Sequence, residues 1–265
     1  MPIIAVDAMG GDAAPEEVVK GVAQVSTETS IECVLIGDEQ LIQAVLDTVP
    51  YNPAHIAIHH TPDWIAADES PKDAVRKKRH ASILVATQLV AAGDAHAVVT
   101  AGNTGAAVLA CAKHFPMIPG VHKAALASVY PRQVAQEQQD QLALLLDVGA
   151  TTRCTAEDLL QFALMGHAYA RGVSKVEQPR VALLNMGQEA TKGGEVLTAA
   201  YRQLQRHPSL DFVGNVEGND LTTGKADVIV CEGLLGNVVL KLLEGVAEMA
   251  THLAGRPNGT TGAGS

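Results

Sequence analysis

Short apolar runs alternate with longer amphipathic ones almost to the end of the chain. Residues 3–6, 33–36, 56–58, 95–99, 124–129, 142–146, 181–184 and 226–231 are strand-sized runs, and another strand starts at Phe212-Val213. Between them the spacing predicts helices over 15–26, 39–49, 74–92, 103–114, 155–170, 195–207 and 237–253. Pro15 suits a first helical turn, where its missing N–H costs nothing, and Glu16 and Glu17 suit the positive helix end. Thr155 is a candidate cap, although the Ser/Thr-x-x-acid box reads only weakly, one residue earlier or later. The strands are continuously apolar rather than alternating. That is the pattern of a largely parallel sheet with helices on both faces, a three-layer α/β sandwich. The expectation is a single α/β domain over residues 1–254. Residues 131–141 are polar and glutamine-rich, a loop or an exposed hairpin connection. Residues 255–265 hold glycine and threonine with no apolar face, so a disordered tail is expected.

Composition narrows the function. The chain has 265 residues, enough to bury a full core, and 47% are hydrophobic. Aromatics are only 3%, which argues against an aromatic-lined carbohydrate or single-strand nucleic-acid binder. The net charge is −10, from 19 basic and 29 acidic residues, so there is no general electrostatic footprint for nucleic acid. Anions would bind through local positive sites. Arg76, Lys77, Lys78 and Arg79 form one basic cluster, either a solvated helix face or a patch for an acidic partner or lipid headgroups. Cys33, Cys111, Cys154 and Cys231 have no CxxC spacing and read as buried thiols. With no basic-then-apolar leader and no apolar run of about 20 residues, a cytoplasmic location is expected.

The chemistry should sit at the carboxyl ends of the strands. There, glycine recurs beside Asp or Asn. Asp7-Ala8-Met9-Gly10-Gly11-Asp12 can make a tight turn, but it is neither GxGxxG nor a Walker A loop. Gly102-Asn103-Thr104-Gly105 opens a helix; its N–H groups suit phosphate or a developing oxyanion, and Asn103 or Thr104 could equally be an ordinary cap. Asp147, before Val148-Gly149-Ala150-Thr151, could orient a donor, bind a cation, act as base or merely stabilise the turn. Asn185, Glu189 and Lys192 share one loop, with Lys192 a candidate anion ligand. Asn215 and Glu217 share another. Gly236-Asn237 reads as a second helix start, with Lys241 four residues on. GxSxG and HExxH are absent, and the ten histidines lack convincing metal spacing. The set suits an anionic substrate and positional catalysis.

AVDAMGGD, AGNTGA, LLLDVGA, FALMG, VALLN, NVEGND, GKADVIVCEG and GNVVLK, in this order, resemble the bacterial phosphate acyltransferases of phospholipid synthesis, the PlsX family. The resemblance runs from residue 3 to about 250. It implies a fold like that of phosphotransacetylase and the isocitrate dehydrogenases. It implies transfer of a fatty acyl group from acyl carrier protein to inorganic phosphate, with the acyl phosphate passing to a membrane glycerol-phosphate acyltransferase. It implies a homodimer, soluble or peripherally attached to membrane, and no nucleotide, metal or other cofactor. Candidate catalytic residues are then Asn103, Asp147, Asn185, Lys192, Asn237 and Lys241. Candidate substrate-binding residues are Asp7, Gly10, Gly11, Asp12, Gly102, Thr104, Gly105, Glu189, Asn215 and Glu217. Thr151 stands where the family usually has Asn, Gln188 and Glu232 also depart, and His122-Lys123 replaces a common Arg-Pro. Members usually continue beyond this chain's C-terminus. Two other readings stay open: a non-catalytic homologue that binds acyl carrier protein or a dimer partner, and a phosphotransacetylase-like enzyme using coenzyme A thioesters.

Overall fold

The computed structural model describes residues 1–134 and 141–254, so most of the glutamine-rich link and the expected tail lie outside the described residues. The contacts divide the chain into two compact units, Met1–Pro119 and Gly120–Ser265, where a single domain was expected.

The first unit contains β1 (Ile3–Asp7), α1 (Glu16–Glu28), β2 (Glu32–Gly37), α2 (Glu39–Leu46), β3 (Ile56–His60), α3 (Pro71–Lys77), α4 (Ser82–Ala92), β4 (Ala97–Val99) and α5 (Thr104–His114). Its four strands lie in the order β3-β2-β1-β4, all parallel. Successive side chains of a strand point to opposite faces. Val6 and Leu35 therefore pack with Val19 and Ile42 on one face, while Ala5 and Ile36 pack with Val85 and Ala86 on the other. Both faces are buried, which is why the strands carry no polar alternation.

One predicted helix is two. Residues 74–92 were expected to run unbroken, but α3 stops at Lys77 and α4 starts at Ser82. The break is tied down from outside. Lys78 Nζ donates to the Trp64 carbonyl at 2.8 Å and meets Glu69 at 2.6 Å, and the Ser82 N–H donates to the Asp63 carbonyl. Lys78 is thus an internal tie rather than a member of a solvated basic face.

The second unit contains β5 (Ala127–Pro131), β6 (Leu142–Leu146), α6 (Ala156–Gly172), β7 (Arg180–Leu184), α7 (Gly194–Arg206), β8 (Asp211–Val216), a 3-10 turn (Gly218–Thr223), β9 (Val228–Val230) and α8 (Gly233–Ala254). The strand order is β5-β6-β9-β7-β8, with only β5 antiparallel. Leu144, Leu146, Val181 and Val228 pack against Phe162 and Leu204 of α6 and α7. Leu145, Ala182 and Ile229 face the other way, with Val239, Leu240 and Leu243 of α8. Gly166 lets α6 approach closely: a Cβ there would lie 2.5 Å from Val228 Cγ1. The capping box at α6 is fully formed. Thr155 Oγ1 accepts from the Asp158 N–H, and Asp158 accepts from the Thr155 N–H. The sequence had shown this box only weakly. The largest shift is in α8, which starts at Gly233 rather than at residue 237. The outer face of α8 keeps Val238, Leu242, Val246 and Met249 exposed. Among the described residues, no helix is long and apolar enough to cross a membrane.

The amino ends of β7 and β9 are closed by an ion cluster around the buried Asp227, with Arg132 buried and Arg180 at the surface. Asp227 accepts from Arg132 at 2.6 Å and, through both oxygens, from Arg180 at 3.0 and 3.1 Å. Burial alone would push the Asp227 carboxyl up, but Arg180 and Arg132 outweigh it and hold it below the usual range. A depressed carboxylate contributes stability that is full above its unfolded value and fades as pH falls through the lower folded one. Replacing Asp227 by Ala should cost about 3–5 kcal/mol, because two guanidinium groups lose their buried partner. Urea unfolding should show it. Between neutral pH and the acid end of the carboxylate range, the gap between wild type and variant should narrow. A constant gap would mean that the carboxylate's ionisation contributes nothing.

Candidate active site

In the first unit, the turns after β1 and β4 are built against each other. Thr100 Oγ1 donates to Asp7 Oδ2 at 2.7 Å and accepts from the Gly102 N–H at 3.0 Å. Gly10 and Gly102 permit this approach: a Cβ on Gly10 would sit 2.5 Å from Asp7 Oδ2, and one on Gly102 would sit 3.0 Å from Gly10 Cα. Asp7 is buried, which pushes its carboxyl up, with the Ser82 and Thr100 hydroxyls beside it offsetting part of the rise. Its Oδ1 has no hydrogen-bond partner. Gly11 takes φ +121°, open to glycine and strained for other residues. Asp12 and Thr104 are exposed, and Gly105 packs on Pro71. Asn103 is the cap of α5: its Oδ1 accepts from the Ala106 N–H at 3.0 Å. Its Nδ2 points to the carbonyls of Ala66, Ala67 and Glu69 at 3.0–3.3 Å. The side chain expected to meet substrate is therefore occupied in fixing a loop.

The second unit repeats this pattern. Asp147, at the end of β6, is fully buried. Its Oδ1 accepts from the N–H groups of Leu126, Gly149 and Ala150, and its Oδ2 from that of Thr151, at 2.8–3.0 Å. Of the roles open to it, the turn-stabilising one is the one its hydrogen bonds describe. Asn185 spans the next loop, accepting from the Met186 N–H at 2.8 Å and donating to the Lys192 carbonyl at 3.1 Å. Asn215 holds the same loop by donating to the Glu189 carbonyl at 2.9 Å, while its Oδ1 is buried without a partner. Glu217 caps the 3-10 turn. The loop's charged side chains, Glu189 and Lys192, are exposed.

Gly236-Asn237 does not open α8. The helix begins a turn earlier because Thr151 Oγ1, from a distant loop, accepts the Gly233 N–H at 3.0 Å. Gly236 lies so close to the Asp147 carbonyl that any side chain would collide with it. Asn237 is half-buried within the helix, and Lys241 is exposed one turn further on. Thr100 and Thr151 both build these turns and were not among the expected site residues. Their position at strand ends beside glycine was the available signal.

Within each unit the expected residues gather at the carboxyl ends of parallel strands. Their amides and carboxylates mostly brace loops, while Lys192 and Lys241 are exposed.

A family model described as "Fatty acid synthesis protein" matches residues 3–260. A phosphate acyltransferase of Nitratidesulfovibrio vulgaris is 41% identical over 254 residues, covering 96% of this chain and 72% of that protein. The chain belongs to the phosphate acyltransferase family. A second relative, the phosphate acyltransferase of Heliobacterium modesticaldum, is 46% identical over 244 residues, covering 92% of this chain and 71% of that one. A phosphotransacetylase from Streptococcus pyogenes shares the fold at TM-score 0.67 and 17% identity, covering 93% of this chain and 82% of its own. The expected α/β architecture and family are thereby borne out.

The hydrogen bonds separate bracing from catalysis by experiment. Asp147→Asn puts an amide donor where backbone N–H groups now donate. It should cost about 1–3 kcal/mol in urea unfolding. Asn103→Ala removes a cap and should cost about 1 kcal/mol or more. Full stability with lost turnover in either variant would instead assign that side chain to substrate.

Proposed function

We propose that this chain transfers a fatty acyl group from acyl carrier protein to inorganic phosphate. The observation that carries this reading is the Asn185- and Asn215-braced loop, which presents Lys192 to solvent in a member of the phosphate acyltransferase family. A hydrogen phosphate oxygen attacks the thioester carbonyl, forming a C–O bond and a tetrahedral oxyanion. The C–S bond then breaks, and the phosphate's proton ends on the departing sulfur, giving acyl phosphate and free thiol. Phosphate is a competent nucleophile and a thiolate a good leaving group, so a strong base is not required. The protein's task is to hold phosphate at attacking distance and to stabilise the oxyanion. Lys192 supplies positive charge, and the N–H groups at the start of α7, in the same unit, supply donors.

The reading extends to partners. The product is consumed by a membrane glycerol-phosphate acyltransferase, and the enzyme works in the cytoplasm with peripheral contact to the inner membrane face. A homodimer is supported by the exposed apolar stripe of α8, with Leu242 65% and Met249 58% accessible.

The test is acyl phosphate formation from long-chain acyl carrier protein and phosphate. Turnover is expected, and Lys192→Ala should lower kcat/KM by about 10²-fold while leaving the urea midpoint unchanged. A folded protein without turnover would leave the non-catalytic homologue as the better reading. Turnover confined to acetyl coenzyme A would favour the coenzyme A alternative.

A further inference from the structure

Three strand-to-helix turns of the second unit enclose a cavity of about 360 Å³, within the size range of small-ligand sites. Each turn follows a strand of the same parallel set: β6 leads to Thr152–Cys154, β7 to Gly193–Leu197, and β9 to Cys231–Leu235. Leu159, Leu184 and Cys231 line it and are buried, forming its floor; Arg153, Val196 and Leu234 line it and are exposed, forming its rim.

The floor asks for nothing polar. Among the described residues, the buried side-chain atoms without a hydrogen-bond partner are Asp7 Oδ1, His167 Nδ1 and Asn215 Oδ1, and none of those residues lines this cavity. Cys231 gives its S–H to the Asp147 carbonyl at 3.4 Å, and burial pushes its thiol up to about 12, so it adds no charge. The rim differs: Arg153, Glu232 and Thr152 line the cavity, and Gly193 is bonded directly to Lys192, so this end is polar and carries both charges. An occupant matched to this gradient has a hydrocarbon body and a polar carbonyl end.

We infer that this cavity receives the hydrocarbon chain of the acyl donor, with the reacting carbonyl at the rim, and so sets chain-length preference. The inference rests on the acyl-transfer reading above. Val196, on α7, and Leu235, on α8, are the residues from which a larger side chain would fill the cavity. Both are exposed at the cavity's mouth, so enlarging them does not disturb the buried core.

Two measurements test it. The first is kcat/KM across acyl carrier proteins loaded with short to long straight chains. Val196→Trp and Leu235→Trp should each lower the long-chain value by about tenfold or more and leave the shortest chain within about twofold. An equal loss at every length, or none, would overturn the assignment. The second needs neither turnover nor a variant. Cys154 lines the cavity and is partly exposed. Dodecanoate should slow maleimide labelling of Cys154 in the wild-type protein, read by mass spectrometry, and leave the labelling of Cys111 unchanged. Undiminished labelling of Cys154 at saturating dodecanoate would also overturn it. Protection of Cys154 without turnover on any donor would keep the cavity and sink the acyl-transfer reading instead.

Discussion

The arrangement of the second unit depends on one carboxylate. Asp147 is buried at the end of β6, where an unpartnered charge would be very costly. Four backbone N–H groups satisfy it, from Leu126 and from Gly149 to Thr151. In doing so they fold the following loop around it. The folded loop presents Thr151 Oγ1 to the Gly233 N–H and so sets where α8 begins. α8 then lies against the same residue, with Gly236 on the Asp147 carbonyl. One side chain therefore fixes the end of a strand, the course of a loop and the start of a helix far away in sequence.

That dependence explains what could be read from the sequence. Strands buried on both faces appear as unbroken apolar runs, so Leu142–Leu146 and Arg180–Leu184 were visible almost to their ends. The start of α8 was not visible, because its cap comes from Thr151, 82 residues earlier. The break after Lys77 was hidden for the same reason. Its ties run to Asp63, Trp64 and Glu69, and nothing in the local helical spacing announces them.

At the site residues the sequence leaves two readings open, ligand binding and turn bracing. Asn103, Asp147 and Asn185 stood out because Asp and Asn at glycine-rich strand ends suit ligand binding. Their side chains bond instead to backbone. The ambiguity is physical. A turn that must satisfy its own N–H and C=O groups selects short polar side chains, and so does an anion that needs nearby donors. Sequence alone sees the residue type and not its partner. The cavity of the second unit is not visible in the sequence, because Leu159, Leu184 and Leu197 look like any core residues until the turns around them are placed.

The two ends of the second sheet use charge in opposite ways. At the amino ends of β7 and β9, Asp227 is shared between Arg132 and Arg180, and the cluster is consumed in holding strands together. At the carboxyl ends, the buried acid is satisfied by neutral N–H groups. No cation is drawn in to balance Asp147, and Lys192, in the loop after β7, is exposed. Had Asp147 been neutralised by a lysine, the same fold would be as well braced, but its carboxyl end would have less charge to offer an anion.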